Sequence, residues 1–163
     1  MARVFISHVE ADAAIALDIA QRLESSGFAT WYYERDSLPG MSYLVQTGKA
    51  VEESSAVIVI ISPKSIVSGQ VTKEVVRAHE ADKPFIPILC GIKHAEFQQR
   101  QPEWREAMGS AASIQLPAEG VAAIMPRLIG GLEGLKGRRV VEAATPRDSA
   151  SREVRPPARW PRR

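Results

Sequence analysis

The chain has 163 residues, 45% of them hydrophobic and 25% charged, a composition that fits one soluble globular domain with length to spare. Its single cysteine, Cys90, excludes an internal disulfide framework and suits a reducing cytoplasm, and three scattered histidines (His8, His79, His94) give no zinc-ligand spacing. No apolar run approaches the roughly 20 residues that span a bilayer, no signal-peptide pattern opens the chain, and the net charge of +2 divides into −4 over residues 1–135 and +6 over residues 136–163, so the body offers no basic face to a nucleic acid.

In chain order, Arg3–Ser7 (RVFIS) has the pattern of a short buried strand and turns polar at Ser7-His8. A helix follows from Asp12, which can cap it, to about Ser26. Its Ile15, Ala16, Ile19, Ala20 and Leu23 recur at helical spacing, and Gly27 stands in the left-handed cap position. Phe28–Tyr33 (FATWYY) is aromatic and β-branched, hence a second strand, with Trp31 and Tyr33 on one face and Tyr32 on the other. Glu34–Gly40 is a polar loop closed by a Pro-Gly turn. Ser42 caps a helix to about Ser54, which Gly48 weakens.

Ala56–Ile61 (AVIVII) is apolar without alternation, as in a strand buried on both faces of a parallel sheet. Ser62-Pro63 suits the cap and first turn of the next helix, whose Val71, Val75 and Ala78 face the core and whose Glu74 lies at the margin of that stripe. Lys83-Pro84 ends the helix. Phe85–Leu89 (FIPIL) is a fourth strand, with Pro87 marking a side that is not fully paired. Glu96–Gly109 is a polar helical segment, Ser113–Leu116 a short fifth strand, and Glu119–Leu132 a closing helix with Pro126 inside it.

Five strands, each followed by a helix, predict an α/β doubly wound sandwich over residues 1–135, with helices on both faces of a parallel sheet. Residues 136–163, rich in Arg and Pro, are expected to form a basic disordered tail or linker. Ligands of such sheets bind beyond the carboxyl ends of the strands. On that rim lie Ser7-His8, residues 34–40 and residues 62–70. The turn after the first strand (SHVEAD) lacks the glycines of a dinucleotide fold, and there is no Walker A loop. The third strand ends without a phosphoacceptor aspartate, and Ser7 is outside any GxSxG elbow.

Four stretches in this order carry a family resemblance: Val4-Phe5-Ile6-Ser7-His8, Arg35-Asp36-Ser37-Leu38-Pro39-Gly40, Val57 to Pro63 (VIVIISP), and Ser68 to Val75 (SGQVTKEV). With them, the chain resembles the Toll/interleukin-1 receptor (TIR) domain family over about residues 2–134. The resemblance implies a flavodoxin-like fold with strand order 2-1-3-4-5. It implies one of two functions: cleavage of NAD+ to nicotinamide and ADP-ribose or a cyclic isomer, in immune, anti-phage or cell-death signalling, or non-catalytic adaptor work through TIR–TIR assembly. In enzymatic members the catalytic glutamate closes the fourth motif, which maps to Glu74. Ser7, His8, Arg35, Asp36, Ser62 and Gln70 are then the expected substrate contacts, with NAD+ as substrate, no cofactor and no metal. Self-association, a fused or separate sensor domain and a cytoplasmic location are implied with it. Gln70 departs from the pattern, because the family commonly carries Trp there.

The implied chemistry asks for little. Nicotinamide leaves NAD+ as a neutral ring and needs no general acid, so one carboxylate beside an oxocarbenium-like ribose suffices.

Overall fold

The computed structural model describes residues 3–144, with side chains through Lys136. Its strands are β1 (Arg3–Ser7), β2 (Ala29–Trp31), β3 (Ala56–Ile61), β4 (Phe85–Leu89) and β5 (Ile114–Gln115). The helices are α1 (Ala13–Ser25), a single turn α2 (Tyr33–Asp36), α3 (Tyr43–Glu53), α4 (Gly69–Glu80), α5 (His94–Arg100), α6 (Pro102–Met108) and α7 (Val121–Ala144). All strand pairs are parallel, and the sheet order is β2-β1-β3-β4-β5. This is the doubly wound sandwich that the alternation of strands and helices predicted, in the flavodoxin-like order that the TIR resemblance implied.

Alternation along each strand sorts the apolar residues into two cores. Val4, Ile6, Ile58, Ile60, Ile86 and Ile88 point to one side, where Ile19 and Leu23 of α1 and Leu128 and Leu132 of α7 cover them. Phe5, Val57, Val59, Ile61, Phe85 and Leu89 point to the other, against Val51 of α3, Val71 and Val75 of α4, and Trp104 of α6. All six residues of β3 are buried, as its unbroken apolar run requires.

Local chemistry accounts for most boundaries. Gly27, at φ 90°, ends α1 with Gly27 N–H on the Glu24 carbonyl and Phe28 N–H on the Leu23 carbonyl, a left-handed cap. Leu38-Pro39-Gly40-Met41 is a turn with proline second and a positive-φ glycine third, closed by Met41 N–H on the Leu38 carbonyl at 3.4 Å. Ser42 caps α3 by accepting from Val45 N–H. The buried Gly48 has a different reason: a Cβ there would stand 2.6 Å from an Arg77 guanidinium nitrogen. Its missing side chain lets Arg77 of α4 lie across α3 and pair with Glu52 at 3.2 Å.

Several elements differ from expectation. The second strand stops at Trp31, and Tyr33–Asp36 coils into the turn α2 because Asp36 Oδ2 accepts from Tyr32 N–H at 3.0 Å. Asp12 makes no cap bond to α1. The cap of α4 is Ser68, which accepts from Val71 N–H at 3.2 Å, and not Ser62. Between them lies a short 3-10 turn, Ser65–Val67. The helical segment expected over Glu96–Gly109 divides at Gln101-Pro102, since the proline begins a new helix. The Gln101 side chain there donates to the Ile66 carbonyl, tying this joint to the entry of α4.

The last helix runs to Ala144, beyond both Leu132 and the 135/136 boundary. Its apolar stripe continues through Leu135, Lys136 lies 4.5 Å over the Phe28 ring, and no proline interrupts the sequence again until Pro146. The rest of the expected tail, residues 145–163, lies outside the described residues. Among the described residues no helix is long and apolar enough to cross a membrane.

Candidate active site

Glu74 sits in the buried stripe of α4 itself, between Val71 and Ala78, and is only 7% exposed. α4 is held against the sheet from behind, where the fully buried Trp104 donates from Nε1 to Thr72 Oγ1 at 3.0 Å. The Glu74 side chain points to the carboxyl end of β1 and the start of α3. Ser7, the last residue of β1 and fully buried, donates to Glu74 Oε2 at 3.4 Å. The Tyr43 phenol, at the first position of α3, makes a second hydrogen bond to the carboxylate.

Removal from water dominates this carboxyl and pushes it up to about 8; the bonds from Tyr43 and Ser7 pull it back, and the charge of Glu34 pushes it further up. The Tyr43 phenol is raised above the ordinary tyrosine range, first by its own desolvation, then by the charge of Glu74 and the hydrogen bond to it. A buried carboxyl balanced this way changes protonation near neutral pH, the range in which a catalytic carboxylate is useful.

Glu74 closes one end of a cavity of about 350 Å³. Trp31, Tyr33 and Tyr43 supply aromatic walls. Trp31 lies flat on Phe5 at 5.1 Å with 9° between ring planes, and Tyr33 meets Tyr43 edge-on at 5.4 Å. Gln70, exposed in the first turn of α4, borders the same space, as does His8. The His8 side chain is 2% exposed, with Nδ1 3.1 Å from the Ile6 carbonyl and Nε2 2.7 Å from a Glu34 carboxylate oxygen. His8 thus fastens the turn α2 to the end of β1.

The expected site residues divide. Glu74, Ser7, His8 and Gln70 converge. Ser62 does not: buried after β3, its hydroxyl donates to Asp12 Oδ2 at 2.6 Å and accepts from Ser65 N–H at 3.1 Å, while Ser65 Oγ accepts from Ser62 N–H at 2.7 Å. This closed set ties the loop after β1 to the loop after β3 and leaves the Ser62 hydroxyl engaged. Arg35 and Asp36 do not converge either. The Arg35 guanidinium pairs with Asp36 and Glu24, donates to the Thr30 carbonyl at 2.7 Å and covers the Tyr32 ring at 4.7 Å. Those pairings raise it further above its already high range, the bond to Asp36 most. Both residues brace the turn that carries Tyr33 and Glu34.

Tyr43, Glu34 and Glu10 border the cavity without having been singled out from the sequence. For Tyr43 the available signal was its place directly after the Ser42 cap, on a helix that starts at the ligand rim. Among the described residues no group of three His, Cys, Asp or Glu side chains is arranged to hold a metal ion. What the arrangement offers chemically is one desolvated carboxylate, two hydroxyl donors on it, and aromatic faces opposite, a setting suited to stabilising a cation.

A sequence model of the TIR domain matches residues 4–116. No curated protein matches the chain. Among solved structures, a metazoan TIR-STING receptor from C. gigas in complex with 2′,3′-cGAMP is 27% identical with a TM-score of 0.58, over 72% of this chain and 35% of the receptor. The chain therefore spans about a third of that receptor's length. The TIR domain of the Toll-related receptor TRR-2 from Hydra magnipapillata gives 20% identity and a TM-score of 0.60, over 82% and 97% of the two chains. The TIR domains of the activated Roq1 resistosome, which directly recognises the pathogen effector XopQ, give 16% identity and a TM-score of 0.65, over 81% and 99%. These last two show likeness of fold.

Proposed function

The chain belongs to the TIR domain family, and on that premise we propose that it is an NAD+ glycohydrolase with Glu74 as its catalytic carboxylate. The observation that carries this reading is Glu74 itself, 7% exposed at the closed end of an aromatic-walled cavity, with the Ser7 and Tyr43 hydroxyls on its oxygens. In the reaction the C1′–N bond to nicotinamide breaks and its electron pair stays with the ring nitrogen, which becomes neutral. The cation passes to the ribose, where the Glu74 carboxylate stabilises it. Water adds at C1′ and gives up a proton, for which Glu74 is the acceptor the cavity offers. Attack by the adenine of the same molecule instead of water gives a cyclic product. Gln70 is placed to contact the ribosyl end, Ser7 orients Glu74 and His8 holds Glu34 at the cavity, whereas Ser62, Arg35 and Asp36 act by holding loops.

An immune or cell-death signalling role accords with relatives found in a resistosome and in a TIR-STING receptor. Assembly accords with it too. Leu38, Met41, Leu44 and Val45 are all exposed within eight residues. Gln46 holds that segment in shape, accepting from Leu38 N–H at 2.6 Å and donating to the Leu38 and Met41 carbonyls at 3.1 Å. This preformed apolar patch also favours the second reading, a non-catalytic module working through TIR–TIR contacts.

Release of nicotinamide from NAD+ by concentrated protein, compared between the natural chain and Glu74→Ala, separates the two. The enzymatic reading requires release that the substitution abolishes. Equal release by both, or none from assembled protein, overturns it and leaves the interaction module.

A further inference from the structure

The proposed reaction presents a cationic pyridinium ribose at one end of the substrate and, in a dinucleotide, two phosphates at the other. The Glu74 cavity is charged for the first end alone. Among the described residues three carboxylates border it, Glu10, Glu34 and Glu74, and no Arg or Lys does. Its one basic ring, His8, is already taken up by Glu34 and the Ile6 carbonyl. The Arg35 guanidinium, next in sequence to Glu34, is turned to Glu24, Asp36 and the Thr30 carbonyl. Lys73 and Arg77 accompany Glu74 on α4 and line the neighbouring groove between α3 and α4, which Glu74 also borders, but neither reaches the cavity with the aromatic walls.

Size agrees with charge. About 350 Å³ is near the lower end of the range for small-molecule pockets, room for a base and its sugar rather than for a whole dinucleotide. Aromatic faces attract a pyridinium cation, and carboxylates attract it from the same walls. A phosphate next to the ribose meets the opposite field.

Resting on the reaction proposed above, the geometry points to an N-ribosyl pyridinium cation as the whole of what this cavity recognises, with phosphate groups tolerated outside it and not bound. Nicotinamide riboside is then a substrate in its own right: C1′–N breaks with its pair going to nicotinamide, water oxygen bonds to C1′, and a proton is released. The mononucleotide, whose terminal 5′-phosphate carries up to two negative charges where NAD+ has a singly charged phosphate at the same position, is the poorest of the three.

The test measures nicotinamide release by the full chain from nicotinamide riboside, nicotinamide mononucleotide and NAD+, from about 30 to 300 mM salt, a range over which screening changes strongly. The expected result is a kcat/KM for the riboside within about tenfold of that for NAD+, falling as salt screens its attraction. For the mononucleotide kcat/KM is lowest at low salt and rises with salt. Glu10→Gln narrows the gap between mononucleotide and riboside at low salt. Cleavage of NAD+ with the riboside more than about a hundredfold slower, or with salt slopes of the same sign for riboside and mononucleotide, overturns this assignment and leaves the NAD+ reaction standing. Release from none of the three removes the reaction, and this assignment with it.

Discussion

The Ser7 hydroxyl and the Glu74 carboxylate, 67 positions apart in the sequence, meet at 3.4 Å where β1 ends under α4. This donor and the Tyr43 phenol are what oppose burial at Glu74. In the proposed reaction the carboxylate is the working form, so NAD+ cleavage should rise with pH through about 8. Tyr43→Phe removes the larger of the two opposing bonds and should move the midpoint upward by about one pH unit, the size of a charge-assisted hydrogen bond at a half-buried site. The profile of nicotinamide release against pH checks this. A loss that is uniform at every pH would show that Tyr43 does not act through Glu74.

The same carboxyl makes stability depend on pH. Its folded pKa of about 8 exceeds the unfolded value near 4.5, so between these values the native state holds the extra proton. Stability is therefore full below about pH 4.5 as far as this group is concerned, and is lost as pH rises through about 8. At about 1.4 kcal/mol per unit, the penalty at high pH is on the order of a few kcal/mol. Glu74→Gln should raise the Tm at pH 8.5 and change it little at pH 5. Thermal unfolding of both proteins at the two pH values reads the difference, and an equal shift at both would point to packing instead of charge.

Gln46→Ala should leave the fold intact and weaken self-association by about tenfold, because the segment bearing Leu38 and Met41 must then order itself on contact. Light scattering against protein concentration, with circular dichroism as the control, decides it. Unchanged association would place the contact elsewhere on the surface.

Gly48→Ala tests the crossing of Arg77 over α3. Alanine in a helix interior gains about 1 kcal/mol over glycine. The displaced group is the tip of a half-exposed arginine, whose pairing with Glu52 contributes at most about 1 kcal/mol. Urea unfolding should find the variant as stable as the natural chain or up to about 1 kcal/mol more so. A clear loss would mean that Arg77 is held where it is by more than its surface pairing.

The strands and the buried face of α4 were legible in the sequence because each is written locally, in a run such as AVIVII or a periodic stripe through Val71 and Val75, whereas the strand order came from the family resemblance. Ser62 was misplaced because its partner, Asp12, is fifty positions away, and nothing in SPKS announces that the serine hydroxyl is spent on it. Arg35 and Asp36 lie away from the cavity for the opposite reason. Their partners, Thr30 and Tyr32, are so near in sequence that the pair closes on its own turn. Tyr43 became visible only once α3 was seen to start opposite Glu74. Helix α7 outran its expected end because the shift in composition near Gly134 brought polarity and glycines but no proline before Pro146.

The two outer strands of the sheet are very short. β2 has three residues, β5 has two, and β5 pairs only Ile88 and Leu89 of β4, leaving Pro87 beside the uncovered length. An edge so brief, next to a residue with no N–H to give, is a poor template for another chain's backbone. A molecule that stacks with copies of itself is exposed to amyloid-like growth if its sheet joins in. Here the described sheet edges are poor templates for propagation, so the proposed self-association is expected to run through helices and loops, where single side chains can start it and stop it.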